Sequence, residues 1–157
     1  MLLSIQNLKH HVAAAQAGKY ALNTIALTAS GCVSANGYML MFTPYPKVTP
    51  ETMPPKLKGV DGAALAPDQP VLVSLADAAK AAAMAPAKSI NPAHRLIHAE
   101  VRKDRVSFAA TDGGAVQTLS VDQPEGDFPD YGACIPDYTD APAFTFDISL
   151  LLQVLKE

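Results

Sequence analysis

Two cysteines and four histidines are the residues of this sequence best suited to catalysis or metal binding. A nucleophilic thiolate needs a neighbouring base and donors for the developing oxyanion, and no local motif supplies either around Cys32 or Cys134. Val33 and Ile135 adjoin the two thiols, which is typical of cysteines packed in a core. We therefore assign no catalytic residue.

The histidines have no metal-binding pattern. His94 and His98 are four residues apart, a spacing that brings two ligands together on a helix, but their segment has the alternation of a strand. His10 and His11 are adjacent and point to different faces of a helix. No cysteine or carboxylate cluster completes a site, so we predict neither a bound metal nor a cofactor.

The glycines do not form a phosphate-binding motif. Gly31 and the pair Gly113-Gly114 are typical of turns, and neither a Walker sequence nor a dinucleotide fingerprint is present. No pair of acidic residues stands in a recognisable catalytic frame. Nothing positive favours an enzyme, although a small α+β enzyme that depends on a thiol is the alternative from another functional class.

One type of segment occurs three times: a short extended stretch, a polar N-cap and a helix rich in Ala and Leu. The extended stretches are residues 2–6, 71–73 and 144–146. The predicted caps that follow them are Asn7, Ser74 and Asp147, whose side-chain oxygens would accept the free amide protons of the first helical turn. Asp77 completes a capping box with Ser74. The caps are 67 and 73 residues apart, which indicates a unit of about 70 residues that occurs twice, with a third just begun.

Strand patterns follow the first two helices. They cover residues 20–27 and 32–42 in the first unit, and 95–101, 105–110 and 115–121 in the second. Residues 43–70 hold seven of the thirteen prolines and are predicted to be a linker with room for one edge strand. Each unit therefore reads β-α-β-β-β, and the short connections predict an α+β fold with antiparallel sheets.

The first helix is predicted to bury one face and to present the opposite face to a partner. Its buried residues would be Leu8, Val12 and Ala15. The opposite face has small alanines around His10 and is flanked by Lys9 and His11, so a large partner could approach it closely.

The charge is distributed unevenly along the chain. Residues 1–105 carry a net charge of +5 and residues 106–157 a net charge of −8. Lys80 lies away from the predicted buried stripe of the second helix, which is Leu75, Ala79 and Ala82. Lysines on both helices could therefore contact phosphates, and ordinary solvated lysines beside an acidic C-terminal region are the alternative.

The length of 157 residues suffices for one ordinary domain, and 49% apolar residues can form its core. No apolar run is long enough to cross a membrane, and the chain does not begin with a signal-peptide pattern. Two cysteines cannot make a disulfide framework. We predict a cytoplasmic protein without a membrane partner.

Residues 126–136 carry the most specific motif. They read G-D-F-P-D-Y-G-A-C-I-P and resemble the inter-domain segment G-x-F-P-D-Y-x-x-V-I-P of the bacterial DNA polymerase III sliding clamp (β subunit) family. Residues 19–23 read K-Y-A-L-N and are similar to its R-Y-x-L-N, and residues 33–40 read V-S-A-N-G-Y-M-L where the family has A-T-D-G-H-R-L. Residues 71–85 match the position of its second helix. The resemblance is closest to the middle of the three domains in that family, and indicates a divergent or truncated member.

The resemblance implies the DNA-clamp fold, in which two pseudo-symmetric β-α-β-β-β halves have antiparallel sheets outside and two helices on one face. Residues 1–136 would form the clamp-like domain, with halves of about 1–60 and 61–136, and residues 137–157 would be a linker with the first strand and helix of a following unit. The implied function is a non-catalytic processivity factor. It encircles duplex DNA without sequence specificity and tethers polymerase or repair proteins that carry a clamp-binding peptide.

Two binding sites follow from the resemblance by position. The DNA-facing residues would be Lys9, Lys19, Tyr20, Lys80 and Lys88. The peptide-binding pocket would be an apolar cleft suited to a Leu/Phe anchor, formed by Leu22, Ala35, Gly37, Tyr38, Met39, Leu40, Pro129, Ala133 and Cys134. A hairpin that merely packs against the linker is the alternative for these residues.

The sequence also departs from the family. Asn36, Tyr38 and Met39 stand where the family has Asp, His and Arg, and the helices have fewer basic residues. A chain with one domain would need about six copies to close a ring, so a homo-oligomer with heterologous contacts is expected. A clamp-derived module that binds proteins without encircling DNA is a further alternative.

Overall fold

The computed structural model describes residues 1–14, 23–35, 40–57, 69–86, 89–102 and 104–134. Within them, strands and helices alternate as two successive β-α-β-β-β units. The first unit comprises β1 (Leu2–Ser4), α1 (Ile5–Ala14), β2 (Thr24–Leu27), β3 (Gly31–Ala35) and β4 (Leu40–Pro44). The second comprises β5 (Val71–Ser74), α2 (Leu75–Met84), β6 (Leu96–Arg102), β7 (Arg105–Thr111) and β8 (Val116–Asp122), with a 3-10 turn at Pro92–Arg95 before β6.

The strands in the described ranges form two four-stranded antiparallel sheets. Sheet 1 has the order β1-β6-β7-β8 and sheet 2 has the order β4-β3-β2-β5. Each sheet therefore combines the first strand of one unit with the three later strands of the other. The prediction of an α+β fold with antiparallel sheets and two helices is confirmed in this part of the chain.

The exchange of first strands is fixed by two registers. Leu3 pairs with Ile97 where β1 joins β6, and Ile25 pairs with Val73 where β2 joins β5. All four side chains belong to the main core, which also includes the inner faces of α1 and α2. Because strand residues alternate between faces, one side of each sheet is apolar and packs against the helices.

The core lies between the helices and the inner faces of both sheets. Among the described residues, Phe108 of β7 is the largest fully buried side chain, and burial of an aromatic ring of this kind contributes about 2–3 kcal/mol. On α2 the buried residues are Ala78, Ala81 and Ala82. The prediction of Ala79 as a buried residue was wrong. The buried stripe includes Ala78 and continues to Ala85, and Ala79 lies beside it and is exposed.

The second helix begins as predicted. Ser74 has extended backbone angles, its Oγ accepts a hydrogen bond from the Asp77 amide at 3.1 Å, and it donates to the Asp77 carboxylate at 2.7 Å. This arrangement is a capping box with Asp in the acidic position.

The first helix begins earlier than predicted. It starts at Ile5, directly after β1, so Asn7 lies inside the helix and is not its N-cap. Ile5 and Leu8 are both buried at a spacing of three residues, which continues the helical periodicity back to the end of β1. The assignment of Ile5 and Gln6 to an extended stretch was wrong. The apolar residue Ile5 fits both the alternation of a strand and the periodicity of a helix, so it does not mark the boundary between them.

Residues 32–42 do not form one strand. β3 and β4 are antiparallel partners, with Ala35 opposite Leu40 and Gly31 opposite Pro44. The apolar pattern runs through both strands, which is why the sequence alone did not divide them. The predicted cap Asp147 and the predicted strand and helix in residues 137–157 lie outside the described residues.

Candidate functional site

The exposed sides of α1 and α2 form one helical surface, since the two helices pack against each other. On α1 this surface carries Lys9 and His10, and on α2 it carries Lys80 among exposed alanines. Small side chains between cations allow a large anionic partner to approach the cations closely. The structure thus places two of the predicted DNA-facing residues, Lys9 and Lys80, on solvent-exposed helix positions.

Lys80 is already engaged within its own helix. Its Nζ atom lies 2.9 Å from a carboxylate oxygen of Asp77, one turn earlier. The hydrogen bond from Lys80, followed by that from Ser74, holds the pKa of Asp77 below its usual value. An incoming phosphate would therefore compete with this carboxylate for the ammonium group.

Three other predicted DNA-facing residues, Lys19, Tyr20 and Lys88, lie outside the described residues. A basic residue that sequence analysis missed is Arg95, which is exposed and lines an open groove at the start of α1. The groove is lined by Ser4, Ile5, Gln6, Lys9 and Arg95. No local signal marks Arg95, because it reaches α1 only through the pairing of two strands that are more than ninety residues apart in the chain.

The outer face of sheet 2 carries a second apolar cluster. Ala26, Val33 and Leu72 are buried there, on the side of the sheet away from the main core. Leu40, Phe128 and Tyr131 pack against them. The rings of Phe128 and Tyr131 meet edge to face, with centroids 6.4 Å apart and an interplanar angle of 70°. The F-P-D-Y segment is therefore attached to sheet 2 through its two aromatic residues.

A turn follows these aromatic residues. The Asp130 carboxylate accepts hydrogen bonds from the amides of Gly132 and Ala133 at 3.1 and 3.4 Å. A short 3-10 turn at Gly132–Cys134 comes next. The acidic residue in F-P-D-Y thus has a local structural role in the segment.

The structure brings together part of the predicted peptide-binding pocket. Leu40 contacts the outer cluster, Ala35 is its partner across the β3–β4 ladder, and Pro129 lies between the two packed aromatic residues in the chain. Ala133 is exposed at the end of the segment. Leu22, Gly37, Tyr38 and Met39 lie outside the described residues, as does the side chain of Cys134.

The position of His11 differs from the predicted one. It is fully buried, with its Nδ1 atom 2.7 Å from Ser34 Oγ and its Nε2 atom 2.7 Å from Thr43 Oγ1. Burial, with a smaller effect from adjacent His10, lowers the pKa of His11 to about 4. The placement of His11 beside the exposed face was wrong, because His11 follows Leu8 by three residues and shares its inward direction.

His94 and His98 lie in different elements and have different surroundings. His94 lies in the 3-10 turn, not in the predicted strand, and its Nδ1 atom is 3.2 Å from Ser89 Oγ. His98 is buried in β6, where burial lowers its pKa. Within the described ranges, no group of three or more His, Cys, Asp or Glu side chains could hold a metal ion.

The thiol of Cys32 lies in the main core. It is buried, and burial raises its pKa to about 12, so the thiolate form is disfavoured at neutral pH. The prediction that this cysteine is a packed thiol is confirmed.

Among the described helices, none has the length and apolar character needed to cross a membrane.

In comparisons with known proteins, no family model and no curated protein matched this chain.

Proposed function

We propose that this chain is a clamp-like, non-catalytic scaffold that contacts duplex DNA through its helical surface and a partner peptide through the outer face of sheet 2. The observation that carries the proposal is the reciprocal composition of the two sheets. Two units with the same β-α-β-β-β order that exchange their first strands, with their helices side by side, are what a pseudo-twofold clamp domain requires. The F-P-D-Y motif supports the same proposal independently.

The positions of the two surfaces agree with this division of roles. Lys9, His10 and Lys80 are exposed on the helices, while Phe128 and Tyr131 pack on the opposite, outer side of sheet 2. A protein that holds DNA on one side leaves the other side free for a polymerase or repair protein. The peptide anchor would lie next to Leu40, where apolar side chains already gather.

Encirclement of DNA requires several copies of a domain of this size. The copies would meet through heterologous contacts, in which different patches of neighbouring subunits bind each other, because these generate a ring when the rotation between neighbours closes. A clamp of this kind binds any duplex sequence, and its affinity falls as salt rises because the contacts are made to phosphates.

Two measurements on the full chain test the proposal. Size-exclusion chromatography with light scattering should give a homo-oligomer of one defined mass, and fluorescence anisotropy should show salt-dependent binding to duplexes of unrelated sequence. A peptide of the form Gln-Leu-x-Leu-Phe should bind, whereas a peptide with its Leu and Phe residues changed to Ala should not. A monomer that binds neither DNA nor the peptide would contradict the proposal.

A protein-binding module that does not encircle DNA is the second candidate. It is favoured by one observation, the ion pair that already occupies Lys80. This candidate predicts peptide binding without salt-dependent affinity for DNA, so the same two titrations distinguish the two functions.

A further inference from the structure

The groove at the start of α1 contains two cations from distant parts of the chain. It has a volume of about 290 Å³ and is lined by Ser4, Ile5, Gln6, Lys9 and Arg95. None of the described residues that line the groove is acidic. An anion placed among them would therefore meet positive charge and neutral polar groups without repulsion from a carboxylate of this set.

Arg95 is held in a defined orientation. Its Nε and Nη2 atoms donate hydrogen bonds to the Ser89 carbonyl oxygen at 3.0 and 2.6 Å. Arg95 ends the 3-10 turn, and the next residue, Leu96, pairs with Ser4 immediately before α1 begins. The strand pairing and the two hydrogen bonds thus fix the guanidinium beside the first turn of α1, with further N–H donors left over.

Lys9 reaches the same groove from α1. It is exposed, and it lies one helical turn after Ile5 and Gln6, which also line the groove. Neither Lys9 nor Arg95 forms an ion pair with a carboxylate in the described part of the chain, in contrast to Lys80. These two cations can therefore bind an external anion without breaking an internal ion pair.

We propose that Lys9 and Arg95 together bind one phosphate of the duplex DNA backbone. The proposal rests on the proposed function and adds Arg95 to its DNA-binding surface. A guanidinium donates to phosphate oxygens in a fixed fork, whereas an ammonium group acts as a mobile point charge. With both on a single phosphate, Arg95 sets the position of the backbone and Lys9 adds charge.

The test is a double-mutant cycle of Lys9→Gln, Arg95→Gln and the double variant in the full chain. Affinity for a labelled duplex of mixed sequence is measured by anisotropy over a series of salt concentrations. Lys47→Gln and Arg105→Gln serve as matched controls, since both residues are exposed and neither lines the groove. Far-UV circular dichroism verifies that each variant is folded.

Each single variant should weaken binding roughly three- to tenfold, and the two losses should not be additive, because both groups act on one phosphate. The double variant should reduce the salt slope by about 0.9, the value for one phosphate of B-DNA. The two control variants should bind like the original chain.

Two results would overturn the inference while leaving DNA binding intact. In the first, Arg95→Gln binds like the original chain while Lys9→Gln binds more weakly. In the second, the losses are additive and the double variant reduces the slope by about 1.8, which means two separate phosphates. Absence of salt-dependent DNA binding by the original chain would instead refute the proposed function, and the inference with it.

Discussion

The Nδ1 atom of His11 lies 2.7 Å from the Oγ atom of Ser34, and neither side chain is exposed to solvent. The other ring nitrogen meets the Thr43 hydroxyl at 2.7 Å. A neutral imidazole can accept at one nitrogen and donate at the other, so this single side chain connects α1 to two strands of sheet 2. The connection depends on the ring remaining neutral.

The His11 contact predicts acid destabilisation in a defined pH range. The unfolded chain takes up a proton on this histidine near its ordinary pKa of 6.5, whereas the folded chain does so only at about 4. Between these values the unfolded state binds more protons, so the free energy of unfolding falls as pH is lowered, by at most about 1.4 kcal/mol per pH unit. Urea unfolding followed by circular dichroism at several pH values measures this slope.

His11→Gln provides the comparison, because glutamine keeps a donor and an acceptor but does not titrate. The pH dependence between 6.5 and 4 should become flatter in this variant. His10→Gln, on the exposed side of α1, should keep the original slope. Equal slopes for the original chain and His11→Gln would show that another group controls acid stability.

Gly31 is predicted to tolerate no side chain. A Cβ atom there would overlap the carbonyl oxygen of Thr43 and lie 2.9 Å from the Cα atom of Pro44 on the adjacent strand β4. Gly31→Ala should reduce the free energy of unfolding by about 1–3 kcal/mol, since the backbone of β4 must move. Gly114→Ala is the control, because the nearest atom to its Cβ would be a side-chain oxygen of Asp112 at 3.6 Å. Equal denaturation midpoints for the two variants would refute the close approach of β3 and β4.

Asp77→Asn should increase the affinity for duplex DNA. The substitution removes the carboxylate that pairs with Lys80 and leaves the Ser74 cap on the backbone amide in place. A freed Lys80 would add up to one phosphate contact, so the salt slope should steepen by up to about 0.9. Asp122→Asn is the matched control, because it frees Arg105 on the outer face of sheet 1. Unchanged or weaker DNA binding by Asp77→Asn would show that Lys80 does not face DNA.

Phe128→Ala should weaken binding of the Gln-Leu-x-Leu-Phe peptide roughly tenfold, which is about 1.4 kcal/mol. Phe128 attaches the F-P-D-Y segment to sheet 2, so its loss frees Pro129 to move relative to Leu40. The free energy of unfolding should fall by about 1–2 kcal/mol, an amount that leaves an ordinary domain folded.

Val116→Ala removes an exposed apolar side chain of sheet 1, away from the F-P-D-Y segment, and should leave peptide binding unchanged. Peptide affinity is measured by anisotropy, and stability by urea unfolding of the same samples. Full peptide affinity in Phe128→Ala would place the peptide site somewhere other than beside this segment.

Local signals allowed much of the second unit to be predicted. The Ser74–Asp77 capping box marks the start of α2, and the alternation in residues 96–122 with a turn at Gly113 gives the three-stranded meander. These features depend on residues close together in the chain. The glycine has a φ of 93°, a conformation that other residues rarely adopt.

The features that were missed depend on long-range pairing. Arg95 approaches Lys9 because β6 pairs with β1, and His11 is buried because β3 and β4 supply hydroxyl partners. No periodicity within α1 identifies these partners. The local pattern therefore predicted the elements of the candidate site better than the contacts between them.

The exchange of first strands means that neither β-α-β-β-β unit can complete a sheet alone. A chain cut between Leu57 and Gln69 would leave two fragments. Each would contain a three-stranded meander, and its first strand, with the helix that follows, would have no partner strand. Mixing such fragments should restore both ladders at once, as in fragment complementation. The same exchange gives two intact copies a route to domain swapping, in which the first strand and helix of a unit in one molecule pair with the meander of the other molecule.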